Sequence, residues 1–358
     1  MKNKRLYIII GTVIIVFTLF ASVILISNKN VSSNSSSVSD FEPGNISEVE
    51  TSNVPEKTVE RGWVINKLGY TYLYNDRALS QFNGTARTAI RYANAVNKVT
   101  ETIDSPQIYN IIVPTQAEFI DIPSHIRKED NFFCTSQSEA AYIVASNMKK
   151  AKNIDIFDII YAHSEEYLYF RTDNNWTMNA AYYAYSEYCD ELKIDKIDIE
   201  KYEKITLHNY LGRFYTATQS KMLLDNRDYI VYYRTEAEYP FYITVEQNGN
   251  KTYSLKYYGT EISSDKGYDV FIGKERASYR FDTRSDGGTL TVVGDSSVHP
   301  FLPFLMAHYS EIYFYNPAFF ESDIINVPAT DTVLFMAYST NANDPEYCKN
   351  LEGIKFNE

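Results

Sequence analysis

The chain has 358 residues, 44% hydrophobic and 22% charged, which is enough apolar material for one large α/β domain or two small ones and too much for overall disorder. With 46 Asp and Glu against 34 Lys and Arg the formal net charge is −12, which argues against nucleic acid or a phosphate-rich polymer as a bulk electrostatic partner. Only 14 glycines and 11 prolines, with no fixed period, exclude collagen-like and proline-rich scaffolds.

Residues 6–26 (LYIIIGTVIIVFTLFASVILI) form a charge-free apolar run, long enough as a helix to cross a bilayer core of about 30 Å. The run is longer than the apolar core of a signal peptide and no small-x-small cleavage site follows, so an uncleaved anchor is expected. Lys2, Lys4 and Arg5 precede it and should stay cytoplasmic. The expected order is a tail (1–5), a transmembrane anchor (6–26), a flexible Ser- and Asn-rich linker (27–61) and an extracytoplasmic domain (62–358), placing the protein in the cell membrane as a single-pass chain.

Within the domain, residues 63–65 and 70–74 read as a hairpin. Ala86, Ala89, Ile90, Ala93, Val96, Val99 and Ile103 recur at helical spacing over residues 85–102. Residues 108–113 (IYNIIV) have the apolar, β-branched character of a buried parallel strand. Ser136 and Glu139 form a capping-box pattern that predicts a helix to about Lys150. Short strands are expected at 154–157 and 167–170, and a helix over 177–192.

Strands follow at 228–233, 241–246 and 252–257, the last two joined through Asn248-Gly249, a strong hairpin signal. Beyond these come a strand at 290–293, a helix, and strands at 311–315 and 333–338. Strands alternating with helices argue for a mostly parallel sheet covered on both faces, with the antiparallel middle as an insertion.

Chemistry in such sheets gathers at the carboxyl ends of strands, where this chain places Asp173-Asn174-Asn175-Trp176 and Gly294-Asp295-Ser296-Ser297. A serine at a strand-to-helix turn sits where free backbone N–H groups can stabilise an oxyanion, although an ordinary capped turn has the same pattern. His299 lies three residues beyond Ser296 and is a candidate to approach its hydroxyl or a substrate. His308 is expected to be packed or solvated, and His125, His163 and His208 have no neighbouring motif. Residues 282–288 have the look of a calcium loop but lack its third carboxylate spacing and terminal glutamate. Cys134, Cys189 and Cys348 lie far apart without a CxxC pair, so neither metal nor disulfide framework is expected, and no cofactor motif is present. Most of the 32 tyrosines should fill core or half-buried sheet positions, with a few lining a cleft where they could face a sugar.

The segment YLYFRTDNNWTMNAAYYAY, together with YNIIVPTQAEF, LGRFYTATQ and TLTVVGDSSVHPFLPFLMAHYSEIYFYNP, resembles the DHHW family, in which a strand ends in Thr-Asp-His-His-Trp-Thr. That family is similar to the SGNH-hydrolase-like proteins of alginate O-acetylation, which are membrane-associated and act on polysaccharide. The resemblance implies an SGNH-like α/β fold with Ser296 as nucleophile, Asp173 as orienting acid and Trp176 as the adjacent aromatic. Asn174, Trp176, Gly294 and His299 are taken as candidate substrate-binding residues around these positions.

Both histidines of the motif are replaced, and the base position falls on Asn175. An amide cannot accept the serine proton as an imidazole does, and general acid–base assistance is worth about 10²- to 10⁴-fold. The expected protein is a membrane-anchored relative with a degenerate Ser/His/Asp site, a pseudoenzyme that binds or acts on cell-surface polysaccharide. Two alternatives stand beside it. One is an active O-acetyl esterase or acetyltransferase using Ser296 with a base from elsewhere, served by an acyl donor protein; the other is a structural or sensory surface protein.

Overall fold

In the computed structural model of the protein, the structure describes residues 58–101, 103, 107–235, 241–247, 250–256, 264–283, 285–320 and 325–356. The predicted anchor at 6–26 and nearly all of the linker lie outside the described residues. Among the described residues no helix is long and apolar enough to cross a membrane.

The expected hairpin is present as β1 (Glu60–Asn66) and β2 (Gly69–Asn75), and a third antiparallel strand, β3 (Arg77–Ser80), joins it. Gly69 takes the left-handed φ of 89° that the turn requires. Helix Ala86–Thr100 starts at a reciprocal capping box between Thr85 and Thr88 and buries Tyr92, Val96 and Val99. The next elements are β4 (Gln107–Val113), a helix at Gln137–Asn147 and β5 (Lys152–Asn153). Ser136 caps that helix by accepting from Glu139 N at 3.1 Å. Glu118, from a preceding turn, satisfies the other free N–H groups, those of Gln137 and Ser138.

Three local expectations are corrected. The strand expected at 154–157 gives way to helix Phe157–Ala162, because the Asp155 carboxylate accepts from Phe157 N at 2.9 Å and turns the chain. Residues 167–170 form no strand: a single bridge joins Tyr169 to Trp176, and residues 168–177 close on themselves as a loop. The helix expected after Ser296 is a short 3-10 turn, Ser296–Val298, followed by the four-residue helix Leu302–Leu305. Pro300 and Pro303 lack the N–H groups that a continuous helix needs.

Helix Met178–Leu192 forms as expected, with Thr177 as its cap. Beyond it come β6 (Lys204–Tyr210), helices Arg213–Thr218 and Lys221–Asp225, and β7 (Asp228–Tyr233), which pairs with β6 as a separate antiparallel ribbon. The main sheet is completed by β8 (Phe241–Gln247), β9 (Asn250–Lys256), β10 (Ser278–Thr283), β11 (Thr289–Gly294), β12 (Glu311–Tyr315) and β14 (Thr332–Tyr338). A small parallel pair, β13 (Ile325–Val327) with β15 (Ile354–Phe356), lies apart from it.

The eight strands run in the order β5-β4-β14-β11-β12-β10-β8-β9. The first five are mutually parallel and the last three antiparallel, so the predicted insertion extends one edge of the sheet. Alternation along the strands divides the core. Ile111, Val113, Leu334, Met336 and Tyr338 pack on one face, while Ile108, Ile112, Val333, Phe335 and Ala337 pack on the other. Tyr72, Tyr92, Tyr185, Tyr188 and Tyr232 are fully buried, while Tyr70, Tyr142 and Tyr161 are exposed.

Candidate active site

Two segments that are far apart in the chain meet at the carboxyl ends of the parallel strands. After β11, Asp295 ends the strand and caps the 3-10 turn that carries Ser296. One Asp295 oxygen accepts from Ser297 N at 2.9 Å, and the other accepts from Tyr338 N at 2.8 Å and Asn341 Nδ2 at 2.7 Å. Burial raises the Asp295 carboxyl above the ordinary carboxylate range, with hydrogen bonds from Ser297, Asn341 and Tyr338 opposing the shift.

The second segment is the 168–177 loop, closed by main-chain bonds from Thr177 N to Leu168 O (2.9 Å) and Phe170 N to Asn175 O (3.4 Å). Its outer turn is held by Asp228 at the start of β7. The buried Asp228 carboxylate accepts from Arg171 N (2.9 Å), Thr172 N (2.7 Å), Thr172 Oγ1 (2.6 Å) and Tyr167 Oη (2.5 Å). Nothing in the local sequence marks this aspartate, since its partners lie more than fifty residues earlier.

The loop and the turn form a hydrogen-bonded chain. Ser296 Oγ donates to Asn175 Oδ1 at 3.1 Å, and Asn175 Nδ2 donates to Asp173 Oδ1 at 2.7 Å. Asp173 Oδ1 also accepts from Asn175 N at 3.0 Å, while its Oδ2 accepts from Tyr210 Oη at 2.6 Å and Arg213 N at 2.8 Å. Ser296, Asn175 and Asp173 are all buried. The amide is oriented as a neutral imidazole would be, with its acceptor toward the hydroxyl and its donor toward the carboxylate. It relays the hydrogen bond but has no basic nitrogen to hold a proton.

The remaining candidate residues separate. Asn174 lines the cleft in front of Ser296, and its Oδ1 is buried without a hydrogen-bond partner. Trp176 is corrected from substrate contact to support: it is fully buried, with its backbone N–H donating to Tyr338 Oη at 2.9 Å and its indole N–H to Ser297 O at 3.0 Å, tying the loop to the serine turn. Gly294 is likewise structural, since a Cβ there would stand 2.3 Å from Met336 O on the paired strand.

His299 does not reach the serine hydroxyl or the cleft. Its ring is fully buried beside Tyr268 and Phe314 with neither nitrogen partnered, and burial lowers its pKa to about 3. His308 is partly buried, hydrogen-bonded to Tyr185 Oη at 2.6 Å. Among the described residues no cluster of His, Cys, Asp or Glu could hold a metal, and all three cysteines are free thiols.

The cleft over Ser296 has a volume of about 410 Å³ and is bordered by Asn174, Arg213, Glu275, Asn316, Phe319 and Asn341. Three contributors carried no motif of their own. Tyr210 and Gly212–Arg213, at the end of β6 and the start of the next helix, surround the Asp173 carboxylate. Glu275, just before β10, faces the same space, and burial raises its carboxyl, with Arg213 opposing and Asp295 adding to the shift. The Gly212–Arg213 stretch does fall inside the LGRFYTATQ segment singled out by resemblance.

A mixed α/β protein with a mostly parallel central sheet and a serine–amide–carboxylate chain at the strand ends is the class defined by this arrangement. A family model described as DHHW protein matches residues 26–315, and the chain belongs to the DHHW family. A DHHW family protein from Eubacterium siraeum has 19% identity, with a TM-score of 0.67 over 83% of this chain and 100% of that one. Bacillus cereus PatB1 has 16% identity and a TM-score of 0.61 over 80% of this chain and 99% of that one, and has also been solved with a sulfonyl adduct. More distant is the O-acetyltransferase domain of Pseudomonas putida AlgJ, with 13% identity and a TM-score of 0.42 over 82% of this chain and 99% of that one. No curated protein matches the chain.

Proposed function

We propose that this is a membrane-anchored, extracytoplasmic DHHW protein that takes a cell-surface polysaccharide carrying acyl esters into the cleft at Ser296. In this reading the imidazole relay of an SGNH-like site has been replaced by an amide. The observation that carries it is the unbroken chain Ser296–Asn175–Asp173, which keeps a triad's geometry without its base. The apolar run at 6–26 behind the basic cluster supports the anchor.

The cleft's chemistry suits a sugar polymer. Asn174, Asn316 and Asn341 add polar side chains to the wall, and the exposed Phe319 provides an apolar surface for a sugar face. With an amide at 175, the relay itself supplies none of the 10²- to 10⁴-fold that a general base contributes, so the 173–175 pair acts to position the serine.

The test is retention of the full-length, detergent-solubilised protein on cell-wall polysaccharide before and after mild alkaline de-O-acylation. Retention should favour the acylated polymer, and Asn174→Ala should weaken it about threefold to tenfold, the worth of one neutral hydrogen bond. Equal retention on both polymers, or none on either, overturns the reading.

A further inference from the structure

Ser296 has a second polar neighbour besides the Asn175 amide. Glu275 reaches the cleft from the segment before β10 and lines it together with Ser296. Arg213 Nη1 stands 3.4 Å from Glu275 Oε1, holding the carboxylate at the cleft wall. We propose that Glu275 takes the Ser296 proton, so that the cleft retains acyl-transfer chemistry with a carboxylate base where the family motif has an imidazole. This inference rests on the cleft being a site for an ester-bearing polysaccharide.

A hydroxyl has one proton to donate. In the resting geometry that proton points to Asn175 Oδ1, which can receive a hydrogen bond but cannot keep the proton. In the proposal the O–H swings away from Asn175 to reach Glu275, which lines the same cleft. The groups facing Glu275 come from three elements: Arg213 from the helix after β6, Asp173 from the 168–177 loop, and Asp295 and Ser296 from the turn after β11. Burial is the largest influence and raises the carboxyl, the two aspartates push the same way, and Arg213 and Ser296 oppose them. A carboxylate raised in this way is a better proton acceptor than a solvated one, and Arg213 opposes the shift.

In the first step, Ser296 Oγ forms a bond to the ester carbonyl carbon as its proton passes to Glu275. The resulting tetrahedral oxyanion collapses by breaking the bond between that carbon and the sugar oxygen, which takes the proton back from Glu275 and leaves acyl-Ser296. Water, or a second sugar hydroxyl, then repeats the sequence on the acyl group: its proton goes to Glu275, its oxygen bonds the carbonyl carbon, and Ser296 Oγ leaves with the returned proton. The net change is ester hydrolysis or acyl transfer, with no other reactant.

The test uses the full-length protein and phenylmethylsulfonyl fluoride, which forms an Oγ–S bond as the S–F bond breaks and HF leaves, with modification of Ser296 followed by intact mass and peptide mapping. The wild-type labelling rate should rise about tenfold per pH unit through the acidic range and then level. Glu275→Gln, nearly isosteric, should label at least tenfold more slowly and lose that acid limb, and Glu275→Asp should recover part of the rate. Wild-type labelling by Glu275→Gln, a wild-type profile without an acid limb, or no adduct on Ser296 overturns the proposal. If the wild type binds no polysaccharide yet labels with a Glu275-dependent acid limb, only the polysaccharide reading falls; binding with Glu275-independent labelling removes only this inference.

Discussion

Gly212 lies so close to Asp173 that a Cβ built on it would stand 2.2 Å from the carboxylate Oδ2. Its φ of −88° is open to any residue, so the constraint is space and not backbone conformation. Gly212→Ala should therefore destabilise the protein by about 1–3 kcal/mol, the usual cost of overpacking, and displace Asp173 from Tyr210 and Arg213. Thermal unfolding of the variant should show a lower Tm; an unchanged Tm would mean that the two segments can separate freely.

Asn175→His should restore a base at the end of the relay. The added ring atoms have somewhere to go, because a cavity of about 30 Å³ lined by Asp173, Asn174 and Asn175 adjoins the side chain. Hydrolysis of 4-nitrophenyl acetate should rise at least about a hundredfold, the lower end of the range expected of general-base assistance, and the gain should vanish in the double variant with Ser296→Ala. A background rate from a folded Asn175→His protein would show that the rest of the relay no longer supports attack.

Asp228 is the anchor of the loop that carries Asp173 and Asn175. Asp228→Ala would leave Thr172 N, Arg171 N and two hydroxyls without their acceptor, at a cost of about 1–3 kcal/mol for each group that stays buried and unpaired. The variant should unfold at distinctly lower urea concentration and fail to label at Ser296. A small stability change with labelling intact would mean that the loop's own main-chain bonds suffice.

His299 predicts a pH effect of definite sign. Its folded-state pKa is depressed to about 3 by burial, against 6.5 for a free imidazole, so the fold admits only the neutral ring. That contribution to stability is fully present above pH 6.5 and is lost as pH falls toward 3, because the unfolded chain then binds the proton that the folded chain refuses. His299→Phe removes both the titration and two unpartnered nitrogens. The urea midpoint of the variant should exceed that of the wild type by a margin that widens from pH 7 to pH 5; a constant margin would contradict the assignment.

The frame of the main sheet was readable from the sequence where apolar pattern and punctuation agreed: β4, β11, β12 and β14, and the capped helices beginning after Thr85, Ser136 and Thr177. The pairing of Ser296 with Asp173 and Asn175 was reachable only through a family motif, since no local periodicity links residues over a hundred positions apart. Tyr210, Gly212, Asp228 and Glu275 escaped notice because each acts through one distant contact and none sits in a chemical motif of its own. The 167–170 segment misled because its aromatic, alternating residues suit a strand, yet the chain doubles back through the bridge between Tyr169 and Trp176 before pairing can spread. His299 differs in another way: it lies one 3-10 turn beyond Ser296, yet its ring is buried against Tyr268 and Phe314, a tertiary contact that the spacing does not reveal.

The 168–177 loop owes its shape to main-chain closure, to Asp228 below it and to Trp176 behind it, and hardly at all to the side chains at 174 and 175. Those two positions therefore work as a socket: different heads can be fitted there while the mounting stays rigid. Single exchanges at 174 and 175 thus change the groups that meet Ser296 while the supports at Asp228 and Trp176 stay in place beneath them.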